Sequence, residues 1–102
     1  MPITSSVSAD GKTITISVTG RFDFGVQNEF RECYCKGHPG DGVSYVIDMD
    51  GANYMDSSAL GMLLMMREHL GEGSANISIR NCAPDIYNIL TIANFQNLFG
   101  IE

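Results

Sequence analysis

The order of hydrophobic and polar positions divides the chain into short strands and helices. β-branched and polar residues alternate over Ile3 to Ser8 and over Thr13 to Thr19. The Asp10-Gly11 pair between these runs predicts a hairpin. Three further runs have the composition of strands: Val43 to Met49, which is predicted to be central and buried, Ala75 to Arg80, and a short last strand within Leu98 to Ile101.

Three other segments have the helical period: Val26 to Lys36, Ser57 to about Leu70, and Pro84 to Asn94. Pro84 suits the first position of a helix. The resulting order, β-β-α-β-α-β-α with a possible final strand, predicts an α/β fold. We expect a mixed, mostly parallel sheet that opens with a hairpin, and three or more helices packed against it. No linker or repeat interrupts the pattern, so residues 1–102 are predicted to form a single domain.

Composition narrows the class of protein. The chain is 44% hydrophobic and 18% charged, which is typical of a globular domain. Its net charge is −6, and its basic residues are scattered, which argues against a nucleic-acid partner. The first residues lack the basic and apolar regions of a secretory signal. The longest apolar stretch, Leu60 to Met66, is too short to span a bilayer, so we expect a cytoplasmic location and no membrane insertion.

The cysteines favour neither a disulfide framework nor a metal site. Cys33, Cys35 and Cys82 are odd in number, whereas a disulfide-stabilised secreted domain has an even set. A C-x-C pair with one distant cysteine is also a poor zinc site, because structural zinc takes four ligands. We therefore expect free thiols, no metal and no cofactor.

The start of the second predicted helix carries the candidate chemistry. Here a strand, a short loop and a helix start follow one another from Val46 to Gly61. Asp56 or Ser57 can serve as the N-cap, and capping alone is one interpretation of these residues. A helix start also suits an added phosphate, because of its free amides and the positive end of its dipole. Local sequence leaves both interpretations open.

The helical period assigns two faces to this helix. Leu60, Leu63 and Leu64 are predicted to face the sheet. Opposite them lie Gly61, Met62 and Met65, together with Glu68 and His69. Methionine surfaces adapt to partners, so this opposite face is either a binding face or a surface covered by a loop.

A resemblance to a known family rests on three segments. Tyr-Met-Asp-Ser-Ser-Ala-Leu-Gly (Tyr54 to Gly61), after a strand ending Val-Ile-Asp, resembles the signature of the STAS domain, specifically of bacterial anti-sigma factor antagonists. Val18 to Asp23 resembles that family's Gly-Glu-Leu-Asp turn, and Pro84 to Leu90 is similar to its last amphipathic helix. The similarity extends from Ile3 to Ile101 and implies a STAS-like fold.

The resemblance also implies a phosphorylation switch in transcription regulation. In the family, the serine after the Asp is phosphorylated, which here is Ser57. The unphosphorylated form binds an anti-sigma factor, commonly a serine kinase of the histidine-kinase-like ATPase fold. Phosphorylation ends the binding, and a serine phosphatase restores it. The expected partner-binding residues are Asp23, Asp56, Ser57, Ser58, Gly61, Met62 and Met65.

One residue departs from the family pattern. Arg21 stands where the turn usually has Glu, which reverses a charge and puts the partner's identity in question. A phosphate would add about −1.5 to −2 charges beside Asp56. We expect Asp23, Asp48 and Asp50 at the same end of the sheet, so that added charge opposes partner binding without refolding.

Two alternatives compete with the switch. The first is a STAS binding subunit that works without phosphorylation, for example in a lipid-transport ATPase complex, with Ser57 only a cap. The second is a hydrolase that pairs Ser57 or Ser58 with His38 or His69. His69 lies about 18 Å from Ser57 by the helical rise, and no Gly-x-Ser-x-Gly elbow is present. We therefore expect no catalytic residues and no enzyme activity.

Overall fold

Strands and helices alternate along the chain in the predicted order. The computed structural model describes residues 2–35, 43–71 and 76–102. Within them lie five strands and three α-helices: β1 (Ile3–Val7), β2 (Thr13–Phe22), α1 (Gln27–Cys35), β3 (Ser44–Met55), α2 (Ser57–His69), β4 (Asn76–Arg80), α3 (Pro84–Ile92) and β5 (Gly100–Ile101). Single 3₁₀ turns cover Phe24–Val26 and Phe95–Asn97. Lys36 and Ala75, the ends of two predicted elements, lie outside the described residues.

The strands form one mixed sheet in the order β1-β2-β3-β4-β5. β1 and β2 are antiparallel, whereas β2 to β5 run parallel. The predicted hairpin joins the first two strands. Gly11 adopts φ 74° there, and the Asp10 carboxylate accepts a hydrogen bond from the amide of Lys12 at 3.0 Å. The predicted mixed sheet with an opening hairpin is therefore confirmed.

Apolar residues of the sheet lie on one face. The register aligns Ile16 with Ile47 and Ile47 with Ile79, and all three side chains are fully buried. The intervening positions are polar, such as Ser17 and Ser78. The buried residues of α1, α2 and α3 join the apolar strand residues in one core. Helices therefore pack on one face of the sheet, as expected when successive parallel strands are joined by crossovers of one hand.

β2 and β3 are longer than predicted. The sequence predicts a loop after Met49, but β3 continues to Met55, and β2 continues to Phe22. In this extension Thr19 pairs with Gly51 and Arg21 with Tyr54, after two register shifts. Gly51 permits the approach, because a Cβ there would lie 2.5 Å from Cγ2 of Thr19. β4 pairs only with Ser44 to Asp48, so the ends of β2 and β3 extend beyond it.

The described helices are short, with at most 13 residues in α2. Within the described residues, no helix is long and apolar enough to cross a membrane.

Candidate functional site

Asp56 caps α2. It is the single residue between β3 and α2, and its extended backbone (φ −130°) ends the strand. Its Oδ1 accepts hydrogen bonds from the amides of Ser58 (3.0 Å) and Ala59 (3.2 Å) and from the Ser58 hydroxyl (2.6 Å). The Ser58 hydroxyl, followed by the two amides and the charge of Arg21, lowers the pKa of Asp56. Asp56 is therefore an anionic N-cap at neutral pH.

Ser57 occupies the first position of α2 and is exposed. Across the described parts of the chain, its side chain makes no hydrogen bond, and Oδ1 of Asp56 already accepts from the amides of Ser58 and Ala59. The sequence left open whether Asp56 or Ser57 is the cap, and the structure assigns this role to Asp56. The Ser57 hydroxyl therefore lies in solvent and is not needed to hold the helix.

Arg21 places a cation beside the cap. Its Cζ lies 3.8 Å from the centroid of the Tyr54 ring, and its Nε donates to Oδ2 of Asp23 at 3.1 Å. Oδ1 of Asp23 accepts from the amide of Gly25 at 2.9 Å and so caps the 3₁₀ turn after β2. Because Arg21 also lowers the pKa of Asp56, its charge acts on both carboxylates. The ends of β2 and β3 thus bring Asp23, Arg21 and Asp56 together.

Asp48 and Asp50 were predicted at this end of the sheet, and that prediction is wrong. Asp48 aligns with Arg80 at the end of β4, and its Oδ1 accepts from the side-chain amide of Asn81 at 3.0 Å. β3 continues from there to Met55, which by the strand rise is roughly 23 Å further on. The error follows from the length of β3, because the residues interpreted as a loop are strand.

The faces of α2 differ from the prediction at two positions. Met62 is only 4% exposed and belongs to the core with Ala59, Leu63 and Met66, so its assignment to an open face is wrong. Leu64 was predicted to face the sheet but is 42% exposed. Met65 is 50% exposed, as predicted for an open face. Residues 59–66 of this helix carry no polar side chain, so the pattern left its rotation about the axis poorly determined.

The exposed face of α2 continues onto neighbouring elements. A shallow cleft between α1 and α2 is lined by Gln27, Phe30, Arg31, Tyr34, Met62 and Met65. The 3₁₀ turn that Asp23 caps packs against α2 and carries Phe24, which is 65% exposed. Phe24, Arg31 and Leu64 are not among the site residues predicted from the sequence. Phe24 could have been predicted, because it is an apolar residue directly after Asp23, which was itself predicted to bind the partner.

His69 does not complete a catalytic group at Ser57. His69 ends α2, and its ring packs edge-on against Tyr34 with 5.5 Å between centroids. It therefore lies at the opposite end of the helix from Ser57. His38 lies outside the described residues.

One layer of helices packs on the mixed sheet, and an exposed serine lies at the start of α2; this is the architecture of a STAS domain. The chain belongs to this family: the family model described as "Mlab, STAS domain" matches residues 5–100. It is also 47% identical to a STAS-domain containing protein of Pseudomonas aeruginosa (strain UCBPP-PA14), with all of both chains covered.

Solved structures agree on the fold. The anti-sigma factor antagonist SpoIIAA in its unphosphorylated form superposes with a TM-score of 0.73, covering 98% of this chain and 86% of that chain at 17% identity. An anti-sigma factor antagonist from Mycobacterium paratuberculosis superposes with a TM-score of 0.74, covering 97% and 84% at 17% identity. At these identities the likeness establishes a shared fold.

Proposed function

We propose that this protein is an anti-sigma factor antagonist that is switched by phosphorylation. Its unphosphorylated form binds an anti-sigma factor or a serine kinase of the histidine-kinase-like ATPase fold. Phosphorylation of Ser57 ends that binding, and a serine phosphatase restores it. The proposal extends the activity named for the two solved structures to this chain.

The exposed hydroxyl of Ser57 is the observation that carries the proposal. Asp56 and Ser58 complete the cap without it, so a kinase can reach the hydroxyl while α2 stays folded. An added phosphate at the first helical position is favoured by the helix dipole. Phosphorylation at Ser57 therefore changes the surface charge and leaves the fold in place.

The partner surface proposed here begins at Ser57 and follows the exposed side of α2. It comprises Asp23, Asp56, Ser57, Ser58, Gly61, Leu64 and Met65, with Phe24 at its edge. Met62 lies beneath this surface and supports it from the core. A partner that covers Gly61 and Met65 would also bury the phosphate on Ser57 beside two carboxylates. Taking the phosphate out of water beside these carboxylates costs on the order of several kcal/mol, so partner binding is lost.

The family model favours a second candidate. It is described by the name Mlab and not as an anti-sigma factor antagonist. This supports a STAS subunit that stays bound in a larger complex, such as a lipid-transport ATPase, with the same surface of α2 as the docking face. Partner binding would then be indifferent to the state of Ser57.

Affinity capture from native lysate, combined with phosphosite mass spectrometry, separates the two. We expect wild-type protein to be partly phosphorylated at Ser57, and Ser57→Ala to retain the captured partner. Ser57→Glu should lose most of it, since the carboxylate copies part of the phosphate charge. Ser6→Glu, at an exposed serine of β1, is the matched control and should bind like wild type.

Two results would count against the switch. One is phosphate confined to Ser58, Ser5 or Ser6. The other is equal recovery of the partner on Ser57→Glu and wild type, which would favour the permanently bound subunit.

A further inference from the structure

We propose that Arg21 is the internal receptor of the phosphate on Ser57, and that its guanidinium forms an ion pair with the phosphorylated side chain. The inference rests on the proposed function for the occurrence of the modification. It goes beyond that function because it assigns to a residue of this chain the binding of the modified serine. Arg21 stands where the resembling family usually has Glu, so it is a feature of this chain.

Arg21 is held in position from two sides. It pairs with Tyr54 across β2 and β3, and its guanidinium lies over the Tyr54 ring at 3.8 Å. Asp23 accepts from its Nε at 3.1 Å. Stacking and one hydrogen bond together restrict a side chain that is otherwise 62% exposed. Because the orientation is set before modification, little rotamer freedom is lost when an anion arrives.

The guanidinium retains donors for a phosphate. The bond to Asp23 uses Nε, which carries one of the five N–H groups of an arginine. The Nη groups suit the two-point hydrogen bonding that phosphate oxygens accept. Tyr54 lies three positions before Ser57, with only the end of β3 and the Asp56 cap between them. Arg21 already acts on that cap, because its charge contributes to the lowered pKa of Asp56.

The charged groups around Ser57 determine whether the second pKa of its phosphate is raised or lowered. Asp23 and Asp56 oppose a second negative charge on the phosphate, whereas Arg21 favours it. Tyr54 is the titratable group of the adjacent strand. On α1, which packs against α2, the charged residues are Glu29, Arg31 and Glu32, and Arg31 lies beside Met65 two turns further along. Of these cations, Arg21 is the one coupled to the cap, so removing it should raise the second pKa of the phosphate.

The test uses protein in which phosphoserine is installed at position 57 during translation, so that neither a kinase nor a partner is required. ³¹P NMR then follows the second ionisation of the phosphate, whose ordinary pKa is about 6. In Arg21→Gln we expect this pKa to rise by roughly half a unit or more at low salt. The difference should shrink in about 1 M salt because of screening. Arg21→Lys keeps the charge and should recover part of the shift.

Arg80→Gln is the matched control. Arg80 is also an exposed strand arginine whose Nε meets a carboxylate, that of Glu102 at 3.3 Å, but it lies at the end of β4. A rise of the second phosphate pKa in Arg21→Gln, with no rise in Arg80→Gln, supports the proposal. An unchanged pKa in Arg21→Gln overturns it, and so does an equal rise in both variants, which would be an effect of net charge alone. Neither failure bears on whether Ser57 controls partner binding, which is measured separately.

Discussion

At the scale of single residues, Asp56 and Ser57 are neighbours with opposite relations to the fold. The Asp56 carboxylate accepts three hydrogen bonds from the first turn of α2. The Ser57 hydroxyl is exposed and unused by the described residues. Asp56 therefore stabilises the start of α2, and the Ser57 hydroxyl remains accessible to a modifying enzyme.

Alanine substitutions should separate these two roles. Asp56→Ala removes the cap and should lower the free energy of unfolding by about 0.5–2 kcal/mol. Ser57→Ala should change the free energy of unfolding by no more than about 0.5 kcal/mol, as is usual for an exposed position. Urea denaturation of both variants beside wild type is the measurement. If Ser57→Ala were as destabilising as Asp56→Ala, the assignment of the cap would be wrong.

The pKa of Asp56 predicts a pH dependence. Hydrogen bonds in the folded state, first of all from the Ser58 hydroxyl, lower this pKa below its ordinary value of 3.8. The anionic cap therefore stabilises the fold fully above that value, and this stabilisation is lost as the pH falls through the folded pKa. The stability difference between wild type and Asp56→Asn should be present at neutral pH and shrink below about pH 4. A difference that stays constant over a urea series at stepped pH would contradict this.

At the scale of the element, α2 separates core from surface within neighbouring residues. Met62 is 4% exposed and Met65 is 50% exposed. Met62→Ala should cost about 2–5 kcal/mol of stability, as a truncation in the core. Met65→Ala should move the thermal midpoint little and weaken partner binding. Equal destabilisation by the two substitutions in a melting experiment would show that the faces are assigned wrongly.

Gly61 gives a second prediction for the same helix. A Cβ at this position would meet nothing within 4 Å, so alanine fits. Gly61→Ala should stabilise the protein by roughly 1 kcal/mol, the difference in helix propensity. The added methyl group lies on the proposed partner surface and should reduce partner affinity. Asn88→Ala, at an exposed position of α3, is the control for affinity and should leave it unchanged. Gain of stability with undiminished affinity would place the interface elsewhere.

The extension of β3 shows what local sequence does not determine. Asp50-Gly51-Ala52-Asn53 has the composition of a turn, yet these residues continue the strand. Pairing with the end of β2, through two register shifts, outweighs the local preference. Because the pattern did not reveal this pairing, it also did not reveal that Arg21 lies over Tyr54.

At the scale of the whole molecule, alternation along the strands was sufficient to predict the fold. Buried and more exposed residues alternate along β4, where Ile77 and Ile79 are buried, and the register places Ile16, Ile47 and Ile79 side by side on the face that the helices cover. The site was predicted where it depends on neighbours in the chain, as at Asp56 and Ser57. It was missed where it depends on strand length or helix rotation, as for Asp48 and Met62.

The affinity of the purified partner for protein carrying phosphoserine at position 57 is the measurement that decides whether Ser57 is a phosphorylation switch. Titration calorimetry against unmodified protein, Ser57→Ala and the phosphorylated form, at two salt concentrations, gives the comparison. We predict tight binding by the first two forms and at least about tenfold weaker binding by the phosphorylated form, whose circular dichroism spectrum should remain that of the folded protein. Equal affinity of all three forms would contradict a phosphorylation switch at Ser57.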